Sequence, residues 1–273
     1  MPDGLTFTFH GARGSVAIDR ADSVRYGGST ICISGQLDDD HYLVFDAGTG
    51  LRQLQHDLPE RDDLTFSFLV THFHWDHLLG LPFFAPLYVP GNTFAFYARP
   101  WADRTVEEGI SGVMSQPLFP VPLSDTPATK TFHEAVDESW GVGDVSVRSA
   151  VLDHPQGVTA YRIDFDGRSL VLATDVEAGN PESDQALTDL ARGADVLIHD
   201  AQYLPDEIGF HAGWGHSTWE EAVTAAQRAE VGRLVLVSHD PERTDAGVDE
   251  LLTKARDRFP ATEAAFAGMQ VEL

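Results

Sequence analysis

A chain of 273 residues, 42% hydrophobic and 22% charged, has room for a sizeable core and reads as an ordinary globular protein. Its 18 basic against 43 acidic residues give a formal net charge of -25, a field that repels polyanions and disfavours nucleic acid as a general partner. Cys32 is the single cysteine, so no intrachain disulfide can form, and no apolar run approaches the length of a membrane span. The opening Met1-Pro2-Asp3-Gly4 has neither a basic nor an apolar leader segment, and the chain is read as cytoplasmic. Only Lys130 and Lys254 are lysines; with the acidity, this would suit a high-salt setting.

Short β-rich runs come first, at Leu5–His10, Thr30–Ser34 and Tyr42–Phe45, separated by turn residues. Leu51–Leu58 reads as a short helix, and Leu64–Val70 as a buried strand running into His72. Prolines then interrupt the pattern. Beyond a helix near Arg104–Met114, residues 84–131 are read as an insertion: a lid, a homodimer contact or an ordinary packed connection. Further strands are expected at Val145–Val151, Thr159–Phe165, Ser169–Ala173, Val196–His199 and Leu234–Ser238, with a last one in Ala264–Leu273. Helices are expected at Ser183–Arg192, Trp219–Arg228 and Ala246–Arg258. Strands with intervening helices in both halves imply the α/β class, and no domain boundary stands out within 1–273.

Thr71-His72-Phe73-His74-Trp75-Asp76-His77 packs three imidazoles and a carboxylate into six positions. These are preferred ligands of zinc and similar divalent ions. An extended backbone points His72 and His74 to one side, and a following turn presents Asp76 and His77 beside them. A chance histidine-rich turn is the plain alternative, but desolvating so many polar groups without a partner would be costly.

The segment resembles the HxHxDH signature of the metallo-β-lactamase-fold hydrolases, and the resemblance extends over nearly the whole chain. Asp46 in Phe45-Asp46-Ala47-Gly48-Thr49-Gly50 matches the family's early portion. His154 sits at the family's third histidine, Asp175 at its bridging aspartate and His239 at its last ligand. The resemblance implies an αββα four-layer sandwich of two mixed sheets with helices outside. It also implies two divalent ions, Zn2+ first, with Mn2+ or Fe as alternatives. One would be held by His72, His74, His154 and Asp175, the other by Asp76, His77, Asp175 and His239. Read individually, His154 could be a loop histidine, Asp175 a helix cap and His239 a polar strand end. Cys32 is read as a core residue.

Gly215-His216-Ser217-Thr218 precedes a helix that Ser217 or Thr218 could cap. His216 also resembles the His-Ser-Thr histidine of the ribonuclease Z branch and its phosphodiesterase relatives. Asp200, in His199-Asp200-Ala201, stands where that branch has a glutamate that orients the histidine. His199 itself is read as facing a core hydrogen bond. The expected reaction is hydrolysis of a small or cyclic phosphodiester by a metal-bridging hydroxide, with Asp76 in the centre and His216, steadied by Asp200, as general acid. The rivals are a ribonuclease Z-type endonuclease, a hydrolase of carboxylic esters, thioesters or lactams, and a non-enzymatic sensing domain. The chain lacks the branch's basic, glycine-rich arm. Tyr203, Phe210 and Trp214 could stack on a base or serve as core or interface aromatics.

Overall fold

A computed structural model describes residues 4–135 and 139–273; Met1-Pro2-Asp3, read above for a leader, lies outside them. Strands β1 (Thr6–Gly11), β2 (Cys32–Gln36), β3 (His41–Phe45), β4 (Thr65–Leu69), β5 (Thr93–Ala98) and β6 (Thr129–Glu134) lie side by side in chain order. The first three pair antiparallel and β3 to β6 pair parallel. A second sheet repeats the plan. In it β7 (Trp140–Val142), β8 (Val145–Leu152), β9 (Val158–Phe165) and β10 (Arg168–Ala173) are antiparallel. Then β10, β11 (Val196–Asp200), β12 (Arg233–Val237) and β13 (Thr262–Ala264) run parallel. The chain finally crosses back as β14 (Gln270–Glu272), antiparallel to β1, so among the described residues each sheet has seven strands.

Side-chain alternation sets the layers. In β3, Leu43 and Phe45 face the space between the sheets while Tyr42 and Val44 face outward. In β10 and β12, Leu170, Leu172, Val235 and Val237 face inward, and Val171, Ala173, Leu234 and Leu236 outward. Helices α1 (Leu51–Asp57) and α2 (Val106–Ser111) cover the first outer face. Helices α3 (Pro181–Ala191), α5 (Trp219–Arg228) and α6 (Asp245–Arg258) cover the second, and α4 (Ile208–His211) is a single turn before α5. The result is the expected αββα sandwich. Local chemistry sets the helix starts: Thr105 with Glu108 and Thr218 with Glu221 form capping boxes, and Asn180 caps α3 ahead of Pro181.

The span 84–131 was expected as an insertion, yet it contains β5 and the start of β6, both in sheet register. Flanking prolines obscure this, but Thr93–Ala98 alternates in burial as a strand should. Likewise Ala264–Leu273 is not one strand. It holds the end of β13 and all of β14, which belong to different sheets, and Gly268 turns between them at φ 92°. Cys32 is fully buried, as expected of a core residue.

Under α2 the outer core is aromatic. Phe94 stacks on Phe66 at 4.9 Å and Phe68 on Phe96 at 5.3 Å, with Phe84 edge-on to Phe66. Removing one ring leaves a void that fixed neighbours cannot fill. Phe94→Ala should therefore destabilise the fold by roughly 3–5 kcal/mol in urea unfolding. A loss below about 1 kcal/mol would mean that this layer closes readily around the gap.

Candidate metal centre

The site forms where parallel strands end. Asp46 follows β3, Thr71 and His72 follow β4, Asp175 follows β10, Asp200 closes β11 and Ser238 follows β12. Strands that run in parallel bring their carboxyl ends to one edge, so residues distant in sequence meet there. Asp46, Asp175 and Ser238 all take left-handed backbone, with φ of 55°, 54° and 59°. Each thereby breaks its strand's alternation and turns a polar side chain toward the edge rather than into a core layer.

His72, His74 and His154 form one group, with donor atoms within 4.8 Å of one another. His154 Nε2 lies 3.2 Å from His74 Nδ1, and His154 Nδ1 donates to the Gly215 carbonyl at 2.9 Å. Gly215 has φ 85°, and a Cβ there would stand 2.0 Å from His154 Nδ1, so only glycine lets the backbone approach this closely. His72, His77 and Asp175 form a second group, and Asp175, Asp200 and His216 a third. Asp175 Oδ2 is 3.1 Å from His77 Nε2 and 3.8 Å from His72 Nε2. Asp76 Oδ2 lies 3.2 Å from His77 Nε2 and accepts a hydrogen bond from the Ser15 amide at 2.9 Å.

The donors are poised for a cation. Burial, reinforced by neighbouring imidazoles, pushes the pKa of His72 and His74 down, leaving lone pairs free. His72 Nε2 is buried with no hydrogen-bond partner among the described residues, an orphan that a metal ion would satisfy. Burial opposes charge on His77, but Asp76, Asp175 and Asp46 outweigh it and raise its pKa well above the usual value. For Asp175 burial is likewise outweighed, here by His77, His216 and His72, and its carboxyl titrates well below the usual range. A cation arriving beside His77 would take the place of its proton.

Outer partners fix these rings. His77 Nδ1 donates to Asp46 Oδ2 at 2.7 Å, and Thr71 donates to the same carboxylate from its amide at 2.8 Å and its hydroxyl at 2.9 Å. His216 Nδ1 donates to Asp200 Oδ2 at 2.7 Å, while Asp200 Oδ1 accepts from the Ser217 amide at 2.8 Å. Burial works against protonation of His216, yet Asp200, Asp175 and Asp76 prevail and its pKa rises to about 9. His199 Nδ1 donates to the Asp200 carbonyl, and it is Thr218 that caps α5.

His239 does not join the others. It is in none of the three groups among the described residues; its Nε2 donates to the Ala265 carbonyl at 2.8 Å and its ring packs edge-on to Tyr26. The preceding residue reaches the site instead: the Ser238 hydroxyl donates to Asp175 Oδ1 at 3.1 Å. Sequence reasoning also passed over Ser15 and Arg13. Ser15 acts through its main-chain amide, which leaves no trace in residue type. Arg13 is fully buried and donates to the carbonyls of Gly27, Asp240 and Arg243, anchoring the segment that carries Ser15.

The cleft over the cluster measures about 450 Å³ and is lined by Ser15, Phe73, Trp75, Tyr203, Trp214 and the site's own residues. No lysine or arginine lines it among the described residues. Trp75 and Trp214 are largely exposed, Tyr203 is buried against the His211 ring, and Phe210 lies on the surface. Helix α2 borders the wall, because Gly109 leaves room for the Phe73 ring.

The profile of the Beta-lactamase superfamily domain matches residues 41–239. The chain belongs to the beta-lactamase superfamily. It is a hydrolase of that superfamily, and its histidines and carboxylates form three groups that could hold a metal ion. The superfamily segment spans every site residue from Asp46 to His239; Arg13 and Ser15 precede it. Among relatives, the chain is 26% identical to Ribonuclease Z of Brevibacillus brevis, over 82% of this chain and 85% of that protein. Among structures, it resembles the metallo-beta-lactamase fold protein YhfI from Bacillus subtilis, with TM-score 0.75 and 20% identity over 99% of this chain and 100% of the other. A diphosphatase from the PhnP family gives TM-score 0.72 and 19% identity over 98% of each chain. These two likenesses establish the metallo-β-lactamase fold.

Outer partners of metal-bound histidines generally contribute to affinity through orientation. Asp46→Asn should weaken zinc retention about 10- to 100-fold with the circular dichroism spectrum unchanged. Unaltered retention would mean that Asp46 does not position His77.

Proposed function

We propose that this protein hydrolyses a small phosphodiester, with His216 as general acid and Asp200 as its positioning partner. The observation that carries the reading is the placement of His216. It lines the cleft beside Asp175 while Asp200 holds its Nδ1, so Nε2 is the nitrogen left to serve a substrate.

His72, His74 and His154, with Asp175, would hold one divalent ion; Asp76 and His77 would share Asp175 in holding another. Zinc suits the imidazole-rich set, and manganese or iron the carboxylate-rich one. Such ions supply Lewis acidity toward a phosphoryl group and lower the pKa of water. The protein's own groups do the rest. Ser15 and His77 keep Asp76 in place, and Thr174 and Ser238 keep Asp175 in place. His216 donates a proton to the departing oxygen, and the resulting imidazole is reprotonated from solvent across the open cleft.

Substrate size follows from charge. A cleft without lysine or arginine, on a chain of net charge -25, has little with which to grip a long polyanion. Phe73, Trp75 and Trp214 offer apolar surface to a compact substrate such as a cyclic phosphate or a nucleotide ester. The similarity to Ribonuclease Z favours the second reading, an RNA endonuclease, which would use the same ligands with a different grip.

Zinc-loaded protein should turn over bis(p-nitrophenyl) phosphate and leave p-nitrophenyl acetate nearly untouched. His216→Ala should lower kcat on the phosphodiester about 10²- to 10⁴-fold with bound metal unchanged. Equal activity on the carboxyl ester would reject the phosphodiester assignment. Tight RNA binding at low salt would transfer the preference to the endonuclease.

A further inference from the structure

We infer that the two cation positions are unequal: the one at His72, His74, His154 and Asp175 is complete, whereas the one at Asp76, His77 and Asp175 lacks an imidazole, because Ser238 occupies the place from which a histidine would close it. This rests on the metal-centre reading above.

Strand β12 ends at Val237, and the left-handed turn at Ser238 aims that side chain into the site. Its hydroxyl reaches Asp175 Oδ1 and lies 2.7 Å from Thr174 Oγ1. The next residue is held on both sides of its backbone. The His239 amide donates to the Ala12 carbonyl at 3.0 Å, and its carbonyl accepts from the Gly14 amide at 3.1 Å. That pairing beside Arg13 leaves the ring facing Ala265 and Tyr26, within the field of the Arg13 and Arg243 guanidiniums. The ring is almost fully buried, so swinging it toward Asp175 would break its bond to Ala265 and empty a packed site. Two cationic neighbours make the space around it hostile to a metal ion.

A neutral serine hydroxyl is a poor substitute for imidazole toward zinc. The second position is therefore left with two carboxylates and one imidazole, one of the carboxylates shared, and its remaining face opens to the cleft beside Ser15 and His216. Such a position holds its ion loosely, and its carboxylates narrow the usual advantage of Zn2+ over harder cations such as Mn2+.

The test is equilibrium dialysis of the whole protein across buffered free zinc, with bound metal counted by mass spectrometry. Two steps are expected, the second needing about 10- to 100-fold more free zinc than the first. His239→Gln, which keeps a donor for Ala265, should leave both steps in place. Ser238→His should draw the second step toward the first, since histidine tolerates left-handed backbone better than most residues. Two ions entering in one step, or a second step lost in His239→Gln, would overturn the inference while leaving the metal centre intact. A wild-type chain that binds no zinc at any concentration would overturn the metal-centre reading and this inference with it. The wild-type curve decides between these outcomes even if a variant does not fold.

Discussion

A carboxylate buried in a protein interior is costly unless opposite charge and hydrogen bonds surround it. Asp175 is such a group, almost fully buried, and much of the site can be understood as its compensation. Thr174 and Ser238 donate to one of its oxygens, His77 and His72 face the other, and its amide donates to Asp200. Those partners come from the ends of β4, β10, β11 and β12, so one side chain ties together strands of both sheets. The same arrangement that makes the carboxylate tolerable without a cation makes it a ready ligand with one.

The sandwich supplies the rigidity that this convergence needs. An apolar layer fills the space between the sheets, and two further layers pack the outer faces against helices. None of the seven residues of the three groups that could hold a metal ion comes from an α-helix, and His77 ends a single 3-10 turn, Trp75–His77. His72, His154 and Asp175 stand just past strands, Asp200 closes one, and His74, His77 and His216 lie on turns braced by Asp46, Ser15 and Glu177. Buried Arg13 braces the far side by collecting three carbonyls from two segments, at Gly27 and in the turn Asp240–Arg243, a task suited to a planar guanidinium with several donors.

Charge and cleft lining bear on the chemistry together. The chain carries a large acidic excess, and the cleft, lined by aromatic rings, histidines and two aspartates, has no lysine or arginine among the described residues to offset it. Metal ions would then be the main source of positive charge at the site, and attraction for an anionic substrate would depend on their presence. That distinguishes this cleft from a groove built to track a nucleic-acid backbone with basic side chains.

The sequence by itself determined the hexapeptide from His72 to His77, the β-rich runs on either side of it and the order of His154, Asp175, Asp200 and His216. Those features are local: residue type, strand composition and turn chemistry are written within a few positions of one another. It left β5 and β6 hidden, because prolines on both sides masked a strand whose pairing is only visible beside β4. The choice between Ser238 and His239 was beyond it as well. They are neighbours in the chain, and histidine is the better ligand by residue type. What decides is the left-handed turn after β12 and the pairing of His239 with the strand end at Ala12 and Gly14, contacts that join residues more than two hundred positions apart and exist only once both sheets have closed on each other.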